Sequence, residues 1–396
     1  MRILFVVDGR SPIAQNWISY FLDRGDEVHL ASTFEFTPSE KFASVRIIPV
    51  AFSQLKKSEN LRINQRPRFG MIWGSSLVKF RTSLRRILSP LSIPGAARQL
   101  KEIITELKPD LVHAMRIPFE GFLAGQAMED VDTIPLIISV WGNDFTLHAG
   151  ATPWMSSYTK QTLARADGLH TDCNRDLRLS YKWGYSEVKP SLVAPGNGGI
   201  RTDLFYPPGD GMKSEQDIVI NPRGVRSYIR NDTFFAAIPQ ILISQPKTRF
   251  VCPGMAGETE VEKWIDKFDI VQAVELLPNL PTQGMADLFR QATIAVSPST
   301  HDGTPNTLLE AMACGCYPVA GDLDSIREWI EPGVNGSLVD PGDDLALAKA
   351  VSNALANHEL RQKAAEINKL IIAERAEYQN SMTRAGEFYE KVSGEK

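Results

Sequence analysis

The stretch HDGTPNTLLEAMACGCYPVAGD, residues 301–322, decides how this chain is read. Asp302-Gly303 is a turn signal after the apolar run IAVSPS. Thr304 is expected to cap a helix with Pro305 at its first position, where a missing N–H costs nothing, and Gly315 to stop it. On that helix Asn306, Thr307, Glu310 and Cys314 fall three or four residues apart and share a stripe, with Leu308, Leu309, Met312 and Ala313 around it. A carboxylate in such company is costly unless something pairs with it. Glu310 therefore either closes an internal ion pair or accepts hydrogen bonds from ligand hydroxyls, as an acid holds ribose in dinucleotide sites. The free N–H groups of residues 304–307 at the helix start suit an anion. Ribose and phosphate together mean a nucleotide.

The rest of the chain frames this helix in a parallel sheet. From the N-terminus short apolar runs alternate with amphipathic stretches: a strand at Ile3 to Val7, a helix from Gln15 to Arg24 ended by Gly25, a strand from Glu27 to Ala31. LKPDLVHAM and IPLIISVWGND continue the rhythm, which predicts strands alternating with covering helices. The Gly- and Pro-rich segment SLVAPGNGGIRTDLFYPPGDG, residues 191–211, reads as a linker, after which DIVINPR, TRFVCPG, ATIAVSPS and CYPVAGD restart the pattern. The expected architecture is α/β, two doubly wound Rossmann-like domains, 1–203 and 204–376, with a helix over 377–396 returning to the first. In such sheets ligands lie beyond the carboxyl ends of the strands, where Gly9, His113, Gly142, Arg223, Gly254 and Ser297 stand. The ligand cleft is accordingly expected between the domains.

At 396 residues the chain exceeds one ordinary core, which agrees with two domains. A net charge of −4 gives no general reason to expect nucleic acid. Four scattered cysteines make no disulfide framework, so a reducing, cytoplasmic setting is expected. No apolar run reaches the ~18 residues of a membrane span, and Asp8 interrupts MRILFVVD too soon for a secretory signal. Residues 51–100 depart from the average, with ten Lys or Arg against Glu59 alone, about +9, which leaves about −13 elsewhere. That window is either a solvated insertion or a basic surface for anionic lipid or an anionic acceptor.

The stretch from Pro298 to Asp343 closely resembles the C-terminal signature of glycosyltransferase family 4, retaining enzymes of the GT-B fold. That family usually has Glu, seven residues, Glu; here Asp302 and Glu310 keep the spacing with a first acid one methylene shorter. The resemblance implies that Glu310 holds the donor's ribose, that Gly303, Thr304, Pro305, Asn306 and Thr307 line the donor site, and that Asp302 lies beside the donor sugar. It also implies an Arg and a Lys on the leaving diphosphate. Arg223 matches the Arg, whereas Ile229 stands at the Lys position, with Arg226 and Arg230 as the neighbouring cations. On the acceptor or sugar side Gly9, Trp141 and Asp144 correspond to loops of the first domain, Met115 and Trp141 standing where members often have His. Asp144 either contacts the sugar or caps the next turn.

The implied reaction moves a sugar from a UDP-, GDP- or ADP-linked donor to a glycan or lipid-linked acceptor hydroxyl, with retention by front-face attack. The setting is cytoplasmic, peripheral at the inner membrane face. No cofactor is expected beyond the donor substrate and no metal, so Asp322-Leu323-Asp324 is read as a chance match to a metal-binding pattern. The base is expected to be read by backbone groups near LLPNLP, residues 276–281. Rival readings are a non-catalytic nucleotide-sugar-binding protein and another enzyme of the fold, such as an epimerase.

Overall fold

The computed structural model describes residues 1–38, 41–50, 92–209 and 216–394, and within them the chain divides into two compact units, Met1–Gly198 with Met382–Lys396, and Gly199–Ser381. Most of the basic window thus lies outside the described residues.

In the first unit the strands are β1 (Arg2–Val7), β2 (Glu27–Ser32), β3 (Ser44–Ile47), β4 (Leu111–Met115), β5 (Leu136–Val140), β6 (Gly168–Thr171) and β7 (Ser191–Val193). They form one parallel sheet in the order β3-β2-β1-β4-β5-β6-β7. Its helices are α1 (Pro12–Arg24), α2 (92–107), α3 (Phe122–Ala127), α4 (Pro153–Arg165) and α5 (Asn174–Lys182). Helix α1 shows how local sequence sets the boundaries. Ser11 caps it by accepting from the Ala14 N–H, Pro12 takes the first turn, and Gly25, at φ +89°, ends it in the left-handed region.

Alternate strand residues enter different layers, as the pleat requires. Leu4, Val6, Val112, Ala114, Ile138 and Val140 pack into one apolar cluster. Phe5, His113, Ser139 and His170 alternate with them, beside Trp17 and Phe21 of α1.

The second unit has β8 (Ile218–Ile220), β9 (Arg249–Pro253), β10 (Val274–Leu277), β11 (Ile294–Ser297), β12 (Tyr317–Gly321) and β13 (Ser337–Val339), parallel in the order β10-β9-β8-β11-β12-β13. Its helices are α6 (Asn231–Ser244), α7 (Thr259–Phe268), α8 (Thr282–Gln291), α9 (Asn306–Ala313), α10 (Asp344–Ala356) and α11 (His358–Arg375). Val219, Ile294, Val296 and Val319 join one cluster, while Ile220, Ala295 and Ala320 join another on the opposite face. Both faces are therefore covered, which is why the strands read as continuous apolar runs. The last helix, α12 (Tyr378–Ser393), leaves the second unit and completes the first from Met382 onward. No helix among the described residues is long and apolar enough to cross a membrane.

Two readings of the sequence are corrected. His113 lies in the middle of β4, fully buried, and Met115 ends the strand. Helix α9 begins at Asn306 with extended Pro305 as its cap residue. The Thr304 hydroxyl makes no cap, because it accepts instead from the indole N–H of Trp329 at 3.1 Å.

Candidate functional site

Two loops at the carboxyl ends of neighbouring strands β8 and β11 build the site in the second unit. The Asn221 side chain orders the first loop: its amide donates to Asn231 Oδ1 at 2.9 Å, and its oxygen accepts from the Arg223 N–H at 3.2 Å. Asn231 in turn donates to the carbonyl of Gly224, whose φ of +62° lets the chain turn sharply. The second loop is tied to the first by backbone. The Arg230 N–H donates to the Pro298 carbonyl at 2.9 Å, and Thr300 donates both its N–H and its hydroxyl to Tyr228 O. Gly321, ending β12, admits this loop, since a Cβ there would lie 2.3 Å from the Ser299 carbonyl oxygen.

These ties bring Arg223 onto the start of α9. Its Nη2 donates to Asp302 Oδ2 at 2.6 Å and its Nη1 to Thr307 Oγ1 at 3.0 Å. Asp302 Oδ2 also accepts from Ser299 Oγ at 2.9 Å, and its backbone carbonyl accepts from Ser325 Oγ at 2.7 Å. The guanidinium fork is thereby fixed in plane, with its buried Nε still without a hydrogen-bond partner. Gly303, Thr304 and Pro305 are buried in the turn between Asp302 and α9. Asn306 Oδ1 is buried and likewise lacks a partner.

Glu310 stands one helical turn beyond Thr307. Its side chain keeps some exposure but has no hydrogen bond or ion pair with any described residue. Burial raises its pKa to about 7, only partly opposed by the charge of Arg223. An acid left in this state can accept two hydrogen bonds from a vicinal diol, and the guanidinium beside it can meet an anion.

The other predicted residues lie apart from this cluster in contact terms. Arg230 makes a bidentate pair with Asp232, both bonds 2.8 Å, at the start of α6, where both residues are half-buried. Arg226 is exposed and bonds the Tyr228 hydroxyl. Asp322 pairs with Arg327 at 2.6 Å. The thiol of Cys316 donates to the Phe289 carbonyl at 3.1 Å, a packing role.

In the first unit, a pocket of about 260 Å³ at the carboxyl ends of β1, β4 and β5 is lined by Asp8, Arg116, Glu120, Trp141 and His148 among others. Arg116 and Phe119, both at positive φ, shape its wall. Gly9 follows Asp8 of that lining, and a Cβ on it would lie 2.5 Å from the Phe36 ring. Asp144, wholly buried, accepts from Arg116 Nε at 3.0 Å and from the N–H groups of Trp141 and Ile117. Burial raises its pKa while Arg116 and these bonds oppose the rise. It thus fastens the Trp141 loop to Arg116. Trp141 packs on Gly196, where a Cβ would lie 3.1 Å from its ring.

Sequence reasoning missed Ser299, Ser325 and the Asn221–Asn231 pair. Polar residues immediately beyond apolar strand runs were the available signal.

Residues 210–370 match the family described as Glycosyl transferases group 1, and residues 72–172 the one described as Glycosyl transferase 4-like. The resemblance to the group 1 glycosyl transferases is thus carried by residues 210–370, with the 4-like match on the first unit beside it. The chain is 25% identical over 219 residues to the D-inositol 3-phosphate glycosyltransferase of Geodermatophilus obscurus, covering 51% of this chain and 48% of the relative. It is 23% identical over 265 residues to the alpha-maltose-1-phosphate synthase of Mycolicibacterium smegmatis, covering 60% and 67%. It spans about half the length of the first of these relatives. Sucrose-phosphate synthase from Thermosynechococcus elongatus matches in structure over 100% of both chains, with a TM-score of 0.77 at 17% identity. Anabaena HepE in complex with UDP and glucose matches over 99% of this chain and 100% of its own, with a TM-score of 0.71 at 14% identity. At these identities the likeness concerns the fold, and the fold is GT-B, as the resemblance implies.

Proposed function

We propose that this chain is a retaining glycosyltransferase that takes its sugar from a UDP-linked donor. The observation that carries the reading is Glu310: a largely enclosed carboxylate without a partner among the described residues, one turn beyond Thr307, which with Asp302 holds Arg223 in place. UDP is favoured over other nucleotides because similar structures are described in complex with UDP, HepE among them.

Glu310 accepts from the two ribose hydroxyls. Arg223 and the N–H groups of Gly303, Thr304 and Asn306 meet the diphosphate, on which negative charge develops as its bond to the sugar breaks. The bond from the sugar's anomeric carbon to the β-phosphate oxygen breaks, and the bond to the acceptor oxygen forms on the same face. The acceptor's proton passes to the departing phosphate, so the protein need supply no nucleophile. Arg230, or the more exposed Arg226, contributes the second cation where Ile229 replaces the family's Lys. Asp302 adjoins the donor sugar and aligns Arg223. Gly9 and Trp141 belong to the acceptor side, where buried Asp144 holds the Trp141 loop to Arg116. The basic window supports a lipid-linked or otherwise anionic acceptor and contact with the inner membrane face; vesicle binding abolished by salt is its expected mark, and equal binding to neutral vesicles the contrary one.

Calorimetric titration with UDP, GDP and ADP tests the site. UDP is expected to bind the wild type and to bind Glu310→Ala about 10- to 100-fold more weakly, the loss of hydrogen bonds to a charged acceptor. Equal binding to both proteins would remove Glu310 from the ribose.

A further inference from the structure

The first unit contains a chain of five buried hydrogen bonds that the proposed chemistry does not use. Trp17 Nε1 reaches the Tyr389 hydroxyl at 3.0 Å, and that hydroxyl meets His113 Nδ1. His113 Nε2 lies 2.8 Å from Ser139 Oγ, Ser139 Oγ 2.8 Å from His170 Nδ1, and His170 Nε2 3.0 Å from the Ala194 carbonyl. His113, Ser139, His170, Trp17 and Tyr389 are all 0% exposed.

Only one placement of protons satisfies every link. A carbonyl can only accept, so His170 Nε2 carries the hydrogen and, in the neutral ring, its Nδ1 accepts from Ser139. Ser139 has spent its one hydrogen and must accept from His113 Nε2–H. His113 Nδ1 then accepts from Tyr389, whose oxygen accepts from the indole of Trp17. Burial keeps the Tyr389 phenol protonated and holds both imidazoles neutral, His170 down at about 4 and His113 well below its ordinary value. A proton added to either ring is one donor too many, in a place water does not reach.

We infer that this relay is an acid-opened clasp: it bolts helix α12, through Tyr389, to the segment that starts at Ala194, and protonation of His113 or His170 releases both. The two ends are places where the chain passes between the units, at Gly198 and at Met382. Opening α12 therefore loosens the Gly196 segment against which Trp141 packs. The other groups around the clasp are accounted for. Phe5 and Trp17 face the imidazoles, with the Trp17 ring 4.3 Å from that of His170. Around Tyr389 stand the Arg24–Asp26 pair at 2.6 Å and Glu390, 3.4 Å from Arg24. Tyr20 lies by Gly386, and Arg384 donates to the Val193 carbonyl at 3.0 Å.

The sign is fixed by linkage. A histidine whose pKa is lowered when docked binds more protons once undocked, so the docked state is fully favoured above pH 6.5 and loses ground as pH falls towards 4. His170 alone raises the opening constant roughly 20-fold between pH 7 and pH 5. The inference does not rest on the donor reading.

Amide hydrogen exchange of the whole protein at pH 7 and pH 5, corrected for intrinsic exchange rates, tests it. Protection of residues 382–393 is expected to fall by about 20-fold or more in the wild type. In the double variant His113→Gln with His170→Gln neither side chain titrates between pH 7 and pH 5, so protection, whatever its absolute level, should be the same at both pH values. A wild-type helix equally protected at both pH values, or a double variant with the same fall, overturns the clasp. Should the double variant not fold, Tyr389→Phe carries the test: protection of α12 at pH 7 should drop about tenfold, and wild-type protection would refute the role of the hydroxyl.

Discussion

Two enclosed carboxylates in this chain have met opposite fates. Asp144, in the first unit, is wholly buried and fully occupied by Arg116 and two backbone N–H groups. Glu310, in the second, keeps an opening to solvent and has no partner among the described residues. Burial pushes the pKa of both upward, so the shift alone does not distinguish them. Saturation does. An acid whose acceptor capacity is spent holds the fold together, and one whose capacity is kept in reserve at a strand's carboxyl end is held for a ligand.

Breaking the saturated acid should produce the larger effect on stability. Asp144→Ala removes the acceptor from two backbone N–H groups and the counter-charge from Arg116, and should cost about 2–4 kcal/mol in denaturant unfolding of the first unit. A loss below 0.5 kcal/mol, of the order of an ordinary surface change, would show that Asp144 is no more fastened than Glu310. The unsaturated acid should respond with the opposite sign. A carboxyl whose folded pKa is raised binds more protons folded than unfolded, so stability falls as pH rises from 4.5 towards 7. Glu310→Gln should therefore stabilise the ligand-free second unit by about 1–3 kcal/mol at pH 8, and by little at pH 5 where the wild-type group is already protonated. Destabilisation at pH 8 would reveal a hidden partner for Glu310.

The sequence made one half of this contrast legible and concealed the other. The Glu310 stripe, the turn at Asp302-Gly303 and the strand at residues 294–297 are local patterns, and the parallel sheets follow from runs buried on both faces. The strands missed, β3, β10 and β13, are short outer strands with mixed exposure, so no apolar run announces them. Long-range partners were invisible for a different reason. Arg223 and Asp302 are 79 residues apart, and Trp17 and Tyr389 are 372 apart. Thr304 illustrates the same limit, because a local cap was outbid by an indole 25 residues away.

The central claim, that Glu310 is reserved for a ribose, is tested most directly by UDP binding from pH 8 to pH 6 in the wild type and in Glu310→Gln. The ribose diol needs the carboxylate, so affinity should be full above pH 7 and weaken about tenfold by pH 6 as the group protonates. Ionisation of UDP itself affects both proteins alike, and the ratio of their dissociation constants isolates the side chain. A ratio that changes about tenfold across this range is the predicted result. A ratio that stays constant would contradict the account.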